Sequence, residues 1–266
     1  MLRSLREPRY AALAALMFLV ALVCIGAGSW QISRFVWKED ANGALRTNFH
    51  AASAPVDDVL VLHGATPPAA DSYKYRTITA TGTYDAAHQV LVRNESINAP
   101  QSDTDSGGSE NGYFVLTPLH TSTATLLVAR GFIAVSDSSA APEITAPPSG
   151  TVSVRARAMP ADTTNDHAGE LRGQVNSINV AQQQARLGGT FYDGYAELLA
   201  DQPGTQGLTV IPGPSLSNPA GGAIEPQHFA YVIQWYLFAA LAIAAPFVMI
   251  RAERHYKKQD ALDEFA

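Results

Sequence analysis

The sequence predicts a mainly β extracytoplasmic domain, an antiparallel barrel or sandwich with a short helix, held between two transmembrane helices. Three observations predict it. Two long uncharged apolar runs lie near the ends of the 266-residue chain. A basic cluster flanks each run on its terminal side. Between them, several stretches alternate β-branched or apolar residues with polar ones and are separated by turn-rich breaks. The boundaries read from this pattern are a cytoplasmic N-terminus at 1–9, a first transmembrane helix at 10–29, an extracytoplasmic β-rich domain at 30–227, a second transmembrane helix at 228–250 and a cytoplasmic tail at 251–266.

The first run, Tyr10 to Ser29, is preceded by Arg3, Arg6 and Arg9, which keep its start inside. A helix of this length rises about 30 Å, enough for a bilayer core. A cleavable signal peptide is the rival reading, with Ala27-Gly28-Ser29 as small residues near a cut site. The apolar run is longer than a signal core of about 7–15 residues. Trp30, Arg34, Trp37 and Lys38 follow it as interface anchors, so a retained helix is expected. Cys24, the one cysteine of the chain, is expected to pack within the membrane. The nine residues before the helix are too few for an amphipathic presequence, which favours a bacterial cell membrane over a mitochondrial one.

In the outer region Arg76 to Tyr84 and Gln89 to Ile97 read as strands that form a hairpin around Asp85 to His88. Tyr113 to Leu119 and Ala124 to Val135 read as a second hairpin, turning near Thr121 to Thr123. Thr151 to Met159 alternates cleanly and sets Arg155 and Arg157 on one face. Val180 to Leu187 reads as a short helix closed by Gly188-Gly189, and Phe191 to Leu199 as a further strand. Ala99 to Asn111, Ser136 to Gly150 and Pro203 to Pro226 are rich in Gly, Ser or Pro and are expected to be mobile, the last a tether into the second membrane helix. That helix carries no formal charge from Phe229 to Ile250, and Arg251, Arg254, Lys257 and Lys258 follow it at once. Both termini are therefore expected in the cytoplasm.

The net charge of −6 is unevenly spread. The region between the two basic ends holds 11 bases against 19 acids. Such an acidic surface argues against nucleic acid as a partner and against docking on anionic lipid; the bilayer is met through the two helices. A single cysteine excludes an intrachain disulfide and thiol-based chemistry. The chain has no nucleophile elbow, no H-E-x-x-H and no phosphate-binding Gly-rich loop, so an enzyme is not expected. His50, His63, His88, His120 and His167 lack metal-ligand spacing and read as solvated or turn residues. Asp57-Asp58 and Asp103 with Asp105 read as solvated pairs.

Two constellations remain, one at each membrane entrance. Trp30, Arg34 and Trp37 share a face if the first helix continues outward. They form either an aromatic belt with a snorkelling cation or a place where Arg34 meets a ligand carboxylate such as a haem propionate. His228, Tyr231 and Trp235 also share a face. They are either a polar helix start with interface anchors, or an axial imidazole with a flat aromatic wall for a porphyrin.

At these residues the chain resembles the Surfeit locus protein 1 family, assembly factors of haem-copper cytochrome c oxidase. Gly28-Ser29-Trp30-Gln31-Ile32-Ser33-Arg34 is similar to the family's G-x-W-Q-x-x-R signature. VLTPL ending at Leu119 and LVARGFI ending at Ile133 are similar to its L-T-P-L and V-x-R-G-W stretches, with Phe132 where Trp is usual. Asn179 to Asp201 resembles the segment before its last loop. His228-Phe229-Ala230-Tyr231 with Gln234-Trp235 matches its H-x-x-Y-x-x-Q-W pattern. The resemblance implies a membrane-anchored assembly factor, not an enzyme, that binds haem a and delivers it to the oxidase's catalytic subunit. It implies His228 as the axial ligand of the haem iron; Tyr231 and Trp235 are then expected to face the ring, and the outer domain to dock the oxidase subunits or haem a synthase. With those roles assigned, Arg34 and Trp30 are expected at the propionate edge. The alternative is a haem-free scaffold that stabilises oxidase subunits during assembly.

Overall fold

A computed structural model describes residues 8–98, 109–135, 142–163, 173–219 and 226–263; within the last segment the side chains of 226–229, 257 and 260–263 are outside the description, as is that of Asn98. The chain divides into two compact units. One holds the described parts of 1–40 and 221–266, the other residues 41–220.

The first unit is a helix pair. α1 (Pro8–His50) contributes its first part, and α3 (Pro226–Asp263) makes the other half. Both are long and apolar enough to cross a membrane by length and composition. They run antiparallel: Arg9 pairs with Glu253 at 3.1 Å near one end, and the Ser29 and Tyr236 hydroxyls lie 3.2 Å apart further out. Between these points Ala21 and Cys24 pack on Ala239 and Ala242. Small residues bring two backbones close where apolar burial gives no net drive, because lipid is as apolar as the helix faces. Gly28 continues that contact, since a Cβ there would lie 3.0 Å from the Tyr236 ring. Cys24 thus packs inside the pair, as its sequence context implies. Pro246 sits within α3 without ending it.

The second unit is a mixed sheet. Its strands are β1 (Ala54–Pro55), β2 (Thr77–Tyr84), β3 (Val90–Asn98), β4 (Ser109–Thr121), β5 (Thr125–Ala134), β6 (Thr151–Met159), β7 (Gln174–Val175) and β8 (Phe191–Leu198), with α2 (Val180–Leu187) before β8. Their order is β1-β2-β6-β8-β5-β4-β3-β7, and β2 also pairs with β4. That extra pairing closes β2, β6, β8, β5 and β4 into a five-stranded barrel. Closure happens at Gly82, opposite Thr121, where a Cβ would run into the His120 carbonyl.

Two sequence expectations change here. The sheet is not wholly antiparallel: β5 and β8 run parallel inside the ring, as do the short pairs β1–β2 and β3–β7. The expected β2–β3 hairpin does not form. β2 pairs with β6 over seven residues, and β3 pairs with β4. Alternation reports which face is buried, and says nothing about which neighbour completes the ladder. The β4–β5 hairpin does form, its turn tied by Thr121, whose hydroxyl donates to the Ala124 carbonyl and accepts from the Thr123 and Ala124 amides.

The core has two compartments. Ile78, Leu119, Leu126, Val128, Val154 and Leu198 fill the barrel. Val92, Phe114, Leu116, Ala129, Phe132 and Ile178 lie on the opposite face of β3, β4 and β5, which α2 and its approach segment cover. Each fully buried aliphatic side chain contributes roughly 1.5–3 kcal/mol. α2 begins at an Asn179 cap that accepts from the Gln182 amide and ends at Gly188, φ +74°.

Candidate functional site

The expected cofactor residues lie at the end of the helix pair away from the Arg9–Glu253 contact. α1 continues past Ser29 without a break, so Trp30, Arg34 and Trp37 are all helical. The four-residue spacing sets the Arg34 guanidinium over the Trp30 ring, 5.7 Å from its centroid, within cation–π range. Both side chains are exposed, Trp30 by 58%. On α3, Trp235 is half-buried against the Ala21–Ala242 contact and meets Phe238 edge-on at 6.3 Å. Tyr231 is 49% exposed. Counting outward from the Ser29–Tyr236 contact along two antiparallel helices, Trp30 stands level with Trp235 and Arg34 with Tyr231. His228 is helical in its backbone, one heptad before Trp235 on the same stripe; its side chain lies outside the described residues.

The structure therefore joins Arg34 to Trp30 and draws the two helices together one residue inside Trp30. Among the described residues, no hydrogen bond or ring contact links Arg34 or Trp30 to Tyr231 or Trp235. Nor does any group of three His, Cys, Asp or Glu side chains among them have the arrangement of a metal site. A single-imidazole haem site would not produce such a group. The exposed Arg34, Trp30 and Tyr231 fit the edge of a flat, anionic-rimmed ligand in kind: a cation level with a phenol, and an indole about one helical turn away.

The sheet unit corrects several readings of isolated residues. His63 is not a free turn histidine: its Nδ1 lies 2.8 Å from Asp193 Oδ1. His88 Nδ1 and His120 Nε2 both approach Asp85 Oδ2, at 2.7 and 3.4 Å, and these contacts hold the Asp85 carboxyl below its usual range against the opposing effect of burial. Asp57 accepts from the Tyr192 hydroxyl at 2.6 Å. His167, Asp103 and Asp105 lie outside the described residues.

Sequence reasoning missed the buried arginines. Arg130 is 1% exposed. Its Nε donates to the Gly204 carbonyl, and its Nη1 donates to the Thr145 carbonyl and Gln89 Oε1. The Tyr84 ring lies under the guanidinium, and the Tyr84 hydroxyl, pushed up to about 12 by burial, donates to the Pro203 carbonyl. Next to it, a Cβ on Gly131 would lie 2.6 Å from Leu208 Cβ, and Phe132 exchanges backbone hydrogen bonds with Thr209. Arg157 pairs with Glu197 in the interior at 3.2 Å and donates to the Ile211 carbonyl at 2.7 Å. Arg46, late in α1, donates to the Leu216 and Ser217 carbonyls. The Arg-Gly-Phe motif is thus a clasp, and residues 203–217 are a strap held by three guanidiniums, not the mobile tether expected. One available signal was a cation inside the otherwise apolar run of β5.

Two helices long and apolar enough to span a membrane, together with a small closed barrel, fit a membrane protein with a β-rich domain. The SURF1 family model matches residues 18–240, a span that includes Trp30, Arg34, His228, Tyr231 and Trp235; the chain belongs to the SURF1 family. That family is associated with assembly of cytochrome c oxidase and is not a known enzyme family. An uncharacterised SURF1-like protein of Mycobacterium tuberculosis (strain ATCC 25618 / H37Rv) is 28% identical over 269 aligned residues, covering 96% of this chain and 90% of that one. Human Surfeit locus protein 1 is 25% identical over 124 residues, 44% of this chain and 39% of the human protein. Its Gallus gallus counterpart is 27% identical over a similar share.

Proposed function

We propose that this protein is a membrane-anchored assembly factor for haem-copper cytochrome c oxidase that receives haem a at the outer end of its helix pair and delivers it to the catalytic subunit. It sits in a bacterial cell membrane with both termini cytoplasmic, the orientation favoured by Arg3, Arg6 and Arg9 before the first span and Arg251 and Arg254 after the second. Haem a carries an isoprenoid tail, and each buried methylene of such a chain favours the bilayer by about 0.8 kcal/mol. A carrier for it works at the membrane. His228 holds the iron, Tyr231 and Trp235 face the ring, and Arg34 with Trp30 meets the propionates. The observation that supports this reading most is the Ser29–Tyr236 contact, from which Arg34 and Tyr231 count out equally along their helices. Haem a synthase is the expected donor. The haem supplies the iron centre that the oxidase needs; this chain binds, orients and releases it.

The exposure of Trp30, Arg34 and Tyr231 favours a second reading, a haem-free scaffold that steadies oxidase subunits. Purification from cells that make haem a separates the two. The carrier predicts a haem a spectrum together with the co-purifying catalytic subunit, and weaker haem retention in Arg34→Ala. A haem-free preparation that still brings down the subunit supports the scaffold.

A further inference from the structure

One concave site on the sheet has no role in haem delivery. β3, β4 and β5 run on beyond the closed ring, and there Arg93, Asn94, Asn111, Gly112, Tyr113 and Val135 line an open cavity of about 300 Å3. A β-bulge builds it. The register of β3 on β4 slips between Val92 and Glu95, and Asn94 takes φ +60°, a left-handed conformation uncommon for any residue but glycine. Bulges re-aim the side chains beside them. Here Arg93 and Asn94 line the cavity, while Glu95 does not. Gly112 forms the floor, because a Cβ would collide with the Ile133 carbonyl and the Phe132 ring.

The polar lining is made of donors. It offers a guanidinium, two carboxamides and a phenol, and no carboxylate. Arg93 is half-buried yet has no hydrogen bond or ion pair among the described residues, whereas Arg46, Arg130, Arg157 and Arg186 each have acceptors. The Arg93 guanidinium is thus available to an acceptor that enters the cavity. Val135, 57% exposed, supplies one apolar wall.

We propose that this cavity binds a carboxylate: the Arg93 fork takes its two oxygens, an Asn amide and the Tyr113 hydroxyl complete the contacts, and Val135 packs on the carbon that carries it. The carboxylate comes either from a small free acid or from an acidic side chain of a partner polypeptide. The proposal is independent of haem binding.

The test uses the full chain in detergent micelles, with arginine Nε–H and asparagine side-chain amide resonances followed by NMR, the latter reporting binding in variants that lack Arg93. One titration uses succinate, the other a blocked pentapeptide with a central glutamate. A saturable shift of the Arg93 resonance is expected with at least one probe. Saturation by succinate identifies a free acid as the source; saturation by the peptide alone identifies a partner side chain. Arg93→Gln should bind at least about tenfold more weakly, since hydrogen bonds to a charged group are worth about 1.5–3 kcal/mol. Tyr113→Phe, which preserves the fold's volume, should bind about threefold more weakly, and Arg155→Gln on β6 should bind as the parent does. No saturable shift with either probe overturns the proposal, as does unchanged binding in both Arg93→Gln and Tyr113→Phe.

Discussion

Arg34 and Arg130 are the same side chain in opposite situations. Arg34 lies exposed on the helix pair, with an indole beneath it and its donors turned outward. Arg130 is enclosed in the barrel unit, with a phenol ring beneath it and donors given to two carbonyls and an amide oxygen. In the helix pair, the close approach comes from Ala, Cys and Gly. In the sheet unit, buried guanidiniums hold loop backbone that no strand satisfies. Charge serves construction in the domain, whereas on the helix pair Arg34 stays exposed.

If buried charge is structural in the barrel unit, the largest effect should come from breaking its interior ion pair. Glu197→Ala leaves Arg157 enclosed and unpaired and should lower stability by about 3–5 kcal/mol. Replacing both partners together, Arg157→Met with Glu197→Leu, should recover part of that loss, because an apolar pair carries no desolvation cost while the Ile211 carbonyl loses its donor. Circular dichroism during denaturation reads both, and an additive double variant would contradict the paired role.

A smaller effect should appear with pH. Burial, reinforced by Asp162 and Glu197, pushes the Glu95 carboxyl up to about 7 from its ordinary 4.5. The folded chain therefore holds this proton more tightly than the unfolded chain does. Glu95 leaves stability unaffected below about pH 4.5, lowers it as pH rises towards 7, and depresses it by roughly 2–3 kcal/mol above that. Glu95→Gln should remove this decline and leave the variant the more stable at pH 8. An unchanged pH profile would show that the carboxyl is better solvated than its surroundings imply.

The smallest effect belongs to the helix pair. Tyr236→Phe removes the Ser29 contact and should weaken helix association by about 0.5–1 kcal/mol, measured by thermal unfolding in detergent. A loss as large as that from Glu197→Ala would erase the contrast between the two regions.

What could be read from the sequence divides along the same line. Local signals carried α2, through its Asn179 cap and Gly188 end, and β6, through its alternation. The Arg34–Trp30 contact follows from a four-residue spacing once α1 continues. Non-local pairings left no such trace. β2 finds β6 across three intervening strands, and β1 and β7 are two residues each. The strap was unreadable for a different reason: its Gly204, Ile211 and Leu216 carbonyls are bound by arginines, and a backbone acceptor has no side-chain signature. At the candidate site, the stripe of His228, Tyr231 and Trp235 could be seen in the spacing. That Trp235 packs against α1 while Tyr231 stays open could not, because it depends on how far the small residues let the helices approach.

The account rests on His228 as the iron ligand. The most direct measurement is the absorption spectrum of the full-length protein purified from cells that make haem a, beside its His228→Ala variant. The account predicts haem bands in the parent that are lost or strongly shifted in the variant. Identical bands in both proteins, or a parent that never takes up haem, would contradict it.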